Sequence, residues 1–593
     1  MKRSLDDILI NVKSPGRYVN GEFNVIKKDW SDPNIKLKVA LAFPDLYEVG
    51  MSNLGFQIIY HLLNRRRDVL CERVFVPDID MENLLRYYKI PLFSLEGKVP
   101  LKNFDWIGFS ISYELNYSGI LTILSLAGIP FLSAERGKND PLIIAGGPSV
   151  LNPEPIAPFI DIFFVGEAEE TLDKVVDVFI EWKNYSNDRM ELYKNLVKFG
   201  CIYIPSLYDF KDKKVYPIYD WAPKRIKKEI VKDLDNAFFP TKPLVPIQSV
   251  VHDRGVVEIM RGCHRNCRFC LAGYVYRPKR YRSPDKIREY VREIIKNTGY
   301  EEISLLSLSS NDYPYIEELI DELNDEFSKN YINFSLPSLR ADKFSLDLSK
   351  KLSKVRKSGL TFAIEAGTER LRKVINKGLK TEDFLNTVKT AYSMGWRRIK
   401  LYFMLGLPTE SNEDIRELTN LMWQIVKENK GIHLHLGFSI FIPKPHTPFQ
   451  WEKFEEKEII KEREHMILHA LKKGPFDIDF HDYNMSYLEA IFSRGDRNLS
   501  KVLEKAWSKG SRLEGWKDYL NIDYWKEAFE EEGVDPKDYL RERDLNENLP
   551  WDHIDVGVNK EYLMKEREKA YSGKDTLPCE WGKYCELCGA CYG

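Results

Sequence analysis

Val256-Val-Glu-Ile-Met-Arg-Gly-Cys-His-Arg-Asn-Cys-Arg-Phe-Cys270 joins an apolar run to a C-x3-C-x2-C array of Cys263, Cys267 and Cys270. The run reads as a buried strand, and the thiols follow it on one short loop. Three thiolates this close together can hold three irons of a cubane 4Fe-4S cluster. Such a cluster ordinarily takes four Cys, so three leave one iron open to another ligand. A disulfide fits poorly, because the number is odd and the spacing cramped. Zinc would need a fourth ligand, and His264 sits inside the loop where it cannot easily close a tetrahedron.

Outward from this loop, apolar strands alternate with amphipathic helices as far as about residue 475. Strands are predicted at 256–261, 302–308, 333–338, 360–365, 398–406 and 433–442. Helices are predicted at 284–298, 314–329, 346–357, 368–376, 381–394 and 412–429. Ser283-Pro284 supplies a helix N-cap with proline at the first helical position. Short strands alternating with helices give parallel βα units, whose chemistry gathers at the carboxyl ends of the strands. The Cys triad follows the first strand, where that rule puts it.

Cys263-x3-Cys267-x2-Cys270 with the aromatic Phe269 before the last Cys resembles the signature of the radical S-adenosylmethionine (SAM) enzymes. The resemblance implies that residues 251–475 form a partial (β/α)6 TIM barrel. It also implies that SAM chelates the open iron through its amino and carboxylate groups. An electron, from a reductant such as ferredoxin or flavodoxin, would then cleave SAM to methionine and a 5′-deoxyadenosyl radical. That radical would abstract hydrogen from an unactivated carbon. Contacts to SAM are expected at the other strand ends. Ser307 and Ser309 stand where many members carry Gly-Gly-Glu, the alternative being a serine-rich helix cap. Arg340 could pair bidentately with a carboxylate. Glu365 ends an otherwise apolar strand, and a buried carboxylate needs a partner, be it a ligand or Arg340. Gly406, in Gly406-Leu-Pro-Thr-Glu410, would let backbone approach the adenine. Lys444, His446 and Gln450 could face substrate, and Tyr276-Arg-Pro-Lys-Arg-Tyr-Arg282 could clamp a carboxylate, a phosphate or RNA.

Upstream, residues 36–182 repeat the strand–helix alternation, with strands at Lys36–Phe43, Trp106–Ser112, Leu142–Ala145 and Ile162–Val165. Their carboxyl ends carry Pro44-Asp-Leu-Tyr-Glu-Val-Gly50, Gly146-Gly-Pro-Ser149 and Gly166-Glu-Ala-Glu169, where a Rossmann-like sheet binds its ligand. These loops resemble the cobalamin-binding domain that precedes many radical SAM barrels. The resemblance assigns Tyr47, Gly50, Gly146, Gly147, Gly166 and Glu167 to the cofactor. Tyr47 stands where base-off mutase-type domains place the cobalt-ligating His, so a bound cobalamin would lack that ligand. A sheet that has lost the cofactor and serves for docking is the alternative.

The remaining regions are an arm at 1–35, a linker and hairpin at 183–250, and an extension at 476–593. The extension ends in Cys579-x5-Cys585-x2-Cys588-x2-Cys591. Four thiolates complete one metal centre. The compact spacing resembles ferredoxin ligation more than the paired spacing of structural zinc, and both stay open. Cys71 and Cys201 read as isolated buried thiols. With 88 Lys+Arg against 90 Asp+Glu, the 593-residue chain has a net charge of −2, so no cationic field coats it for nucleic acid. No secretory h-region and no membrane-spanning run is visible, and clustered Cys suit a reducing compartment, so a cytoplasmic enzyme is expected. The order of these parts resembles a radical SAM family with a cobalamin-binding-type domain and a Cys-rich tail. Its members are expected to methylate, or otherwise modify by radical chemistry, a carbon in a substrate such as RNA or protein. The alternatives are a non-methylating radical enzyme and a non-enzymatic cluster-bearing scaffold.

Overall fold

The computed structural model describes all residues except 1–4, 187, 344–346, 348–349, 352–358, 580–584, 586 and 593. The chain forms two compact units, each assembled from separate segments. The first comprises Met1–Asp253, Ile491–Pro536 and Asn548–Asp555; the second comprises Arg254–Ala490, Lys537–Glu547 and Val556–Gly593. Among the described residues no helix is long and apolar enough to cross a membrane.

The first unit is built on six strands: β1 (Leu37–Phe43), β2 (Val69–Phe75), β3 (Trp106–Ser110), β4 (Leu142–Gly146), β5 (Ile162–Phe164) and β6 (Ile202–Tyr203). Their order is β2-β1-β3-β4-β5-β6, parallel throughout except for β6. Sequence analysis does not predict β2, because Glu72 and Arg73 interrupt its apolar pattern. Both are nonetheless buried. The Arg73 guanidinium pairs with Glu96 at 2.6 Å and Glu22 at 3.3 Å, while Glu72 accepts from the Ser94 hydroxyl and the Gly97 amide. Pairing offsets the cost of taking these charges out of water.

The carboxyl edge of this sheet is covered by the chain itself. Trp516 donates its indole N–H to Asp45 Oδ1 at 2.8 Å, and Asn116 donates to Oδ2 at 2.8 Å. Asn152 donates to the carbonyls of Ser493 and Gly495, and Ser118 to the carboxylate of Glu514. The residues expected to face cobalamin are largely engaged in packing. Tyr47 has no exposed surface and donates to Glu22 at 2.9 Å, so it does not present its hydroxyl to a ligand. A Cβ on Gly50 would meet the Phe75 ring at 2.4 Å. Glu167 accepts from the Val231 amide at 2.8 Å. Gly147 and Gly166 have φ of +110° and +108°, and a Cβ on either would lie 2.4 Å from the backbone of Ile111 or Glu229. Backbone packing on the Cβ side demands glycine at both positions, although Gly147 is half-buried and Gly166 exposed. Gly146 differs, since the nearest atom to its Cβ position is Phe164 O at 3.5 Å. Gly147→Ala is therefore expected to lower the stability of this unit by about 2–4 kcal/mol, and Gly146→Ala by less than about 1 kcal/mol. Thermal unfolding of the two variants checks the difference.

The second unit holds two parallel sheets. β7 (Gly255–Glu258), β8 (Glu302–Leu306) and β9 (Asn333–Ser335) form one parallel sheet. β10 (Leu360–Glu365), β11 (Arg398–Leu405), β12 (His433–Ile440) and β13 (Phe476–Phe480) form another. Within each sheet neighbouring strands follow chain order, as successive βα units require. The helices between them start on strong caps. Ser283 accepts from the Lys286 amide ahead of Pro284–Thr298, and Ser411 with Asp414 closes a capping box on Asn412–Glu428. The predicted helix at 346–357 falls mostly outside the described residues. β13 lies beyond the predicted six units. Its Asp477 and Asp479 alternate with apolar residues, a pattern that fits an edge strand with one polar face.

Candidate functional site

The loop bearing Cys263, Cys267 and Cys270 leaves β7 and returns through an antiparallel pair, Met260–Arg261 with Arg280–Tyr281. The side chains of Arg265, Asn266 and Arg268 between the thiols are each tied to other parts of the second unit, whereas the buried His264 Nδ1 has no hydrogen-bond partner among the described residues. The His264 carbonyl accepts from the Cys579 amide at 2.8 Å. Arg265 makes a bidentate pair with Asp312, at 2.9 and 2.6 Å. Asn266 donates to Leu577 O at 2.6 Å and accepts from Arg277 and from the Tyr562 hydroxyl. Arg268, with no exposed surface, donates to the carbonyls of Lys373, Val374 and Lys574 and pairs with Glu566 at 3.3 Å. Phe269 packs on the core cluster of Ala366, Leu371, Val374 and Ile375. Asn266, Arg268 and Asp312 were not foreseen as site residues; nothing local in the sequence marks their partners.

At the other strand ends the structure departs from expectation in several places. Ser307 donates to Ser310 and accepts from the Ser309 amide, while the Ser309 hydroxyl donates to Asp312 at 2.7 Å. Both serines therefore shape a turn and buttress the carboxylate that holds Arg265; Ser309 precedes the short helix Ser310–Asp312 but makes no side-chain cap bond to it. Arg340 pairs bidentately with Asp342 and donates to Lys377 O, so its guanidinium is met by protein groups. Glu365 pairs with Lys377 at 2.9 Å, not with Arg340. It sits at a register break at the end of β10 with φ of +67°, a conformation that costs a non-glycine residue about 1–3 kcal/mol and concentrates at functional sites. The turn after Gly406 is closed by Glu410, which accepts from the amides of Gly406 and Leu407 and pairs with Arg463 at 2.8 Å. The Gly406 Cβ position lies 3.1 Å from Glu455 Cβ, so close protein packing already explains that glycine. Lys444 pairs with Glu489, and Gln450 accepts from the His446 amide, giving both a structural task.

With this geometry in view, comparison with known proteins assigns the family. Residues 257–422 match the radical SAM superfamily, and residues 55–205 match the N-terminal part of radical SAM proteins. The chain is 31% identical over 499 residues to the uncharacterized protein MJ0966 of Methanocaldococcus jannaschii, covering 84% of this chain and 97% of that protein. The chain belongs to the radical SAM superfamily. It is also 26% identical over 366 residues to an uncharacterized methyltransferase of Pyrococcus horikoshii, covering 57% of this chain and 69% of that one. Among solved structures it is similar to the radical SAM methyltransferase TsrM of Kitasatospora setae with cobalamin and a 4Fe-4S cluster bound. That match covers 70% of this chain and 74% of the other, at 13% identity and a TM-score of 0.49.

For a radical SAM enzyme the electrostatics of the loop are informative. Burial, and then the neighbouring Cys267, pushes the Cys270 thiol up to about 12 and raises Cys263. Thiols that resist ionisation because they are buried, and secondarily because they neighbour one another, become thiolates when a cation is placed among them. Arg340 and Lys377 lie within the field of these sulfurs and act in the opposite sense. Asp312 is raised by burial, but the hydrogen bonds from Arg265 and Ser309 outweigh that and hold it at about 2. Among the described residues no three His, Cys, Asp or Glu side chains converge on one ion-sized point. A cubane places each thiolate on a different iron, so the triad need not converge to hold one. The donor set fits a cluster.

Proposed function

We propose that Cys263, Cys267 and Cys270 hold the 4Fe-4S cluster of this radical SAM enzyme and leave its fourth iron to SAM. The observation that carries the reading is the loop itself: the side chains of Arg265, Asn266 and Arg268 are tied elsewhere, and three thiols stand on one short loop after β7. When bound, the cluster supplies the electron that cleaves SAM to methionine and a 5′-deoxyadenosyl radical. The chain's own residues do the positioning. Arg265 on Asp312 and Arg268 on the Lys373 and Val374 carbonyls fix the two halves of the loop. Arg340 and Lys377 offset the negative charge that thiolates and a substrate carboxylate bring. The strained Glu365, held by Lys377, is the acidic group we assign to the SAM amine or ribose.

The reaction we favour is methylation of an unactivated carbon with cobalamin as methyl carrier, in a cytoplasmic substrate such as RNA or protein. A ferredoxin or flavodoxin would supply the electron. The relative named as a methyltransferase supports this branch. Of the residues assigned to cobalamin, Tyr47 and Gly50 are buried in packing, while Gly146, Gly147 and Glu167 are half-buried and Gly166 is exposed. The covered carboxyl edge of the first sheet favours a second reading, a radical enzyme that does not methylate and whose N-terminal sheet serves for docking.

Anaerobic reconstitution with iron and sulfide, followed by a 5′-deoxyadenosine assay under strong reductant, tests the first claim. Absence of 5′-deoxyadenosine from iron-replete protein would sink it. A corrin absorption spectrum that survives desalting, together with methyl transfer from labelled SAM, separates the two readings. Lys377→Met is expected to weaken SAM binding by about tenfold or more by leaving Glu365 without its counter-charge, with the iron content unchanged. Equilibrium binding of SAM to the reconstituted variant checks it.

A further inference from the structure

One part of the first unit departs from the charge balance of the whole chain. Residues 194–228 carry nine Lys and Arg against three Asp, in a chain whose net charge is −2. Three stretches bring these cations onto one surface. The helix Arg189–Leu196 exposes Lys194. Strands Tyr208–Lys211 and Lys214–Pro217 form an antiparallel hairpin, with Lys211 opposite Lys214 and Asp209 opposite Tyr216. Alternate residues of a strand share a face. These four are accordingly all exposed, while Tyr208 and Val215 on the other face are buried. The chain then folds back. The Tyr208 hydroxyl donates to Pro223 O at 2.7 Å, and the Lys227 amide donates to Gly200 O at 2.9 Å. Lys224 and Lys227, both exposed, thereby join the hairpin and the end of the helix.

Two properties set this surface apart. Lys211, Lys214, Lys224 and Lys227 pair with no carboxylate among the described residues, and Arg225 reaches Asp555 only at 3.6 Å. Exposed lysines elsewhere, such as Lys453, Lys461 and Lys526, are held by acidic neighbours. Aromatic rings are interleaved with the free cations. Tyr216 and Tyr219 are 43% and 39% exposed, and Tyr219 stacks on Trp221 with ring centres 5.2 Å apart. Lys214 lies over Tyr216 at 5.1 Å, and Lys194 over Trp221 at 5.7 Å. A ring left in water offers a face on which a flat ligand can stack.

We propose that the hairpin 208–217 and the turn 218–227 form a docking surface for single-stranded RNA. The unpaired ammonium groups meet phosphates, and Tyr216 and Tyr219 take unpaired bases on their open faces. An acidic peptide or an anionic membrane would use the charge and leave the rings idle. The choice of RNA rests on the reading that the substrate is RNA. Binding is measured without cluster or SAM, so it holds or fails apart from the radical chemistry.

The experiment uses the full chain and a fluorescein-labelled, mixed-sequence single-stranded RNA of about 16 nucleotides. Binding is followed by anisotropy at several salt concentrations. Wild type is expected to bind, and its affinity to fall by about 0.7 decade per decade of salt for each phosphate met. Lys211→Gln/Lys214→Gln/Lys224→Gln/Lys227→Gln is expected to weaken binding at least about tenfold and to flatten that salt dependence. Tyr216→Ala/Tyr219→Ala is expected to weaken it by about tenfold or more at an unchanged salt slope, because stacking carries no net charge. Lys472→Gln/Lys473→Gln, at exposed positions of the second unit, should bind as wild type does. Absence of binding at low salt overturns the proposal, as does binding that neither set of variants weakens. A poly-glutamate peptide or phosphatidylserine vesicles bound as tightly as the RNA, with the tyrosine variant unaffected, would overturn it in favour of an acidic protein or a membrane.

Discussion

Cys267→Ala is expected to abolish reductive SAM cleavage, with 5′-deoxyadenosine falling to background, at least about a thousandfold. Cys263→Ala and Cys270→Ala should do the same. The reason is stoichiometric, since each thiolate of a three-Cys cubane holds its own iron and none can stand in for another. With two protein ligands left, the cluster has two open irons and is lost on exchange. Iron content and the absorption of the reconstituted cluster should fall together with activity. Cys71→Ala gives the contrast: Cys71 is 1% exposed in β2, and burial raises its thiol, so removing it should cost packing and leave SAM cleavage intact. Retention of full SAM cleavage by Cys267→Ala would refute the ligand assignment.

Arg268→Met is expected to destabilise the second unit by about 3–5 kcal/mol and to make the cluster labile. The guanidinium is fully buried and serves four acceptors drawn from three separate stretches of chain: Lys373, Val374, Lys574 and Glu566. Methionine fills the volume but leaves those carbonyls and a buried carboxylate short of a donor. Glu566 keeps Lys569 at 2.8 Å, so Arg268→Met/Glu566→Gln should recover part of the loss. Unfolding of the second unit, followed as its own transition, and the rate of iron loss to a chelator measure the two effects. If stability drops by less than about 1 kcal/mol, the network is not what holds the loop.

How much of this was legible can be judged residue by residue. The parallel order of β7 to β12 was readable because apolar strands and helices repeat locally, and the cap at Ser283 is short-range chemistry; a cap expected at Thr381 is absent, since Lys380 precedes that helix without a side-chain cap bond, and the Ser411 box was not foreseen. The strand β2 was hidden, because Glu72 and Arg73 look solvent-facing until Ser94, Glu96 and Glu22 are known to meet them. Glu365 was marked as a carboxylate in need of a partner; it is half-buried, and the partner is Lys377, twelve residues on, beyond helix Glu369–Val374. Gly147 and Gly166 were read as openings for a ligand. The fold supplies a reason the sequence did not show: the Ile111 and Glu229 backbones occupy the space a Cβ would need.

The spacing Cys263-x3-Cys267-x2-Cys270 after an apolar strand determined the chemistry's first requirement, a cluster with an open iron, because ligand spacing is a local property of the chain. Tail thiols in ferredoxin-like order were equally visible, and for the same reason. Only the tertiary structure decided what each residue between the triad thiols does. Arg265, Asn266 and Arg268 read in sequence as a polar loop, and their partners lie 47, 311 and up to 306 positions away. Only folding brings Cys579 to the carbonyl of His264 and sets the tail against the triad. Hydrogen bonds between residues so distant depend on the packing of the whole second unit, and no local pattern encodes them.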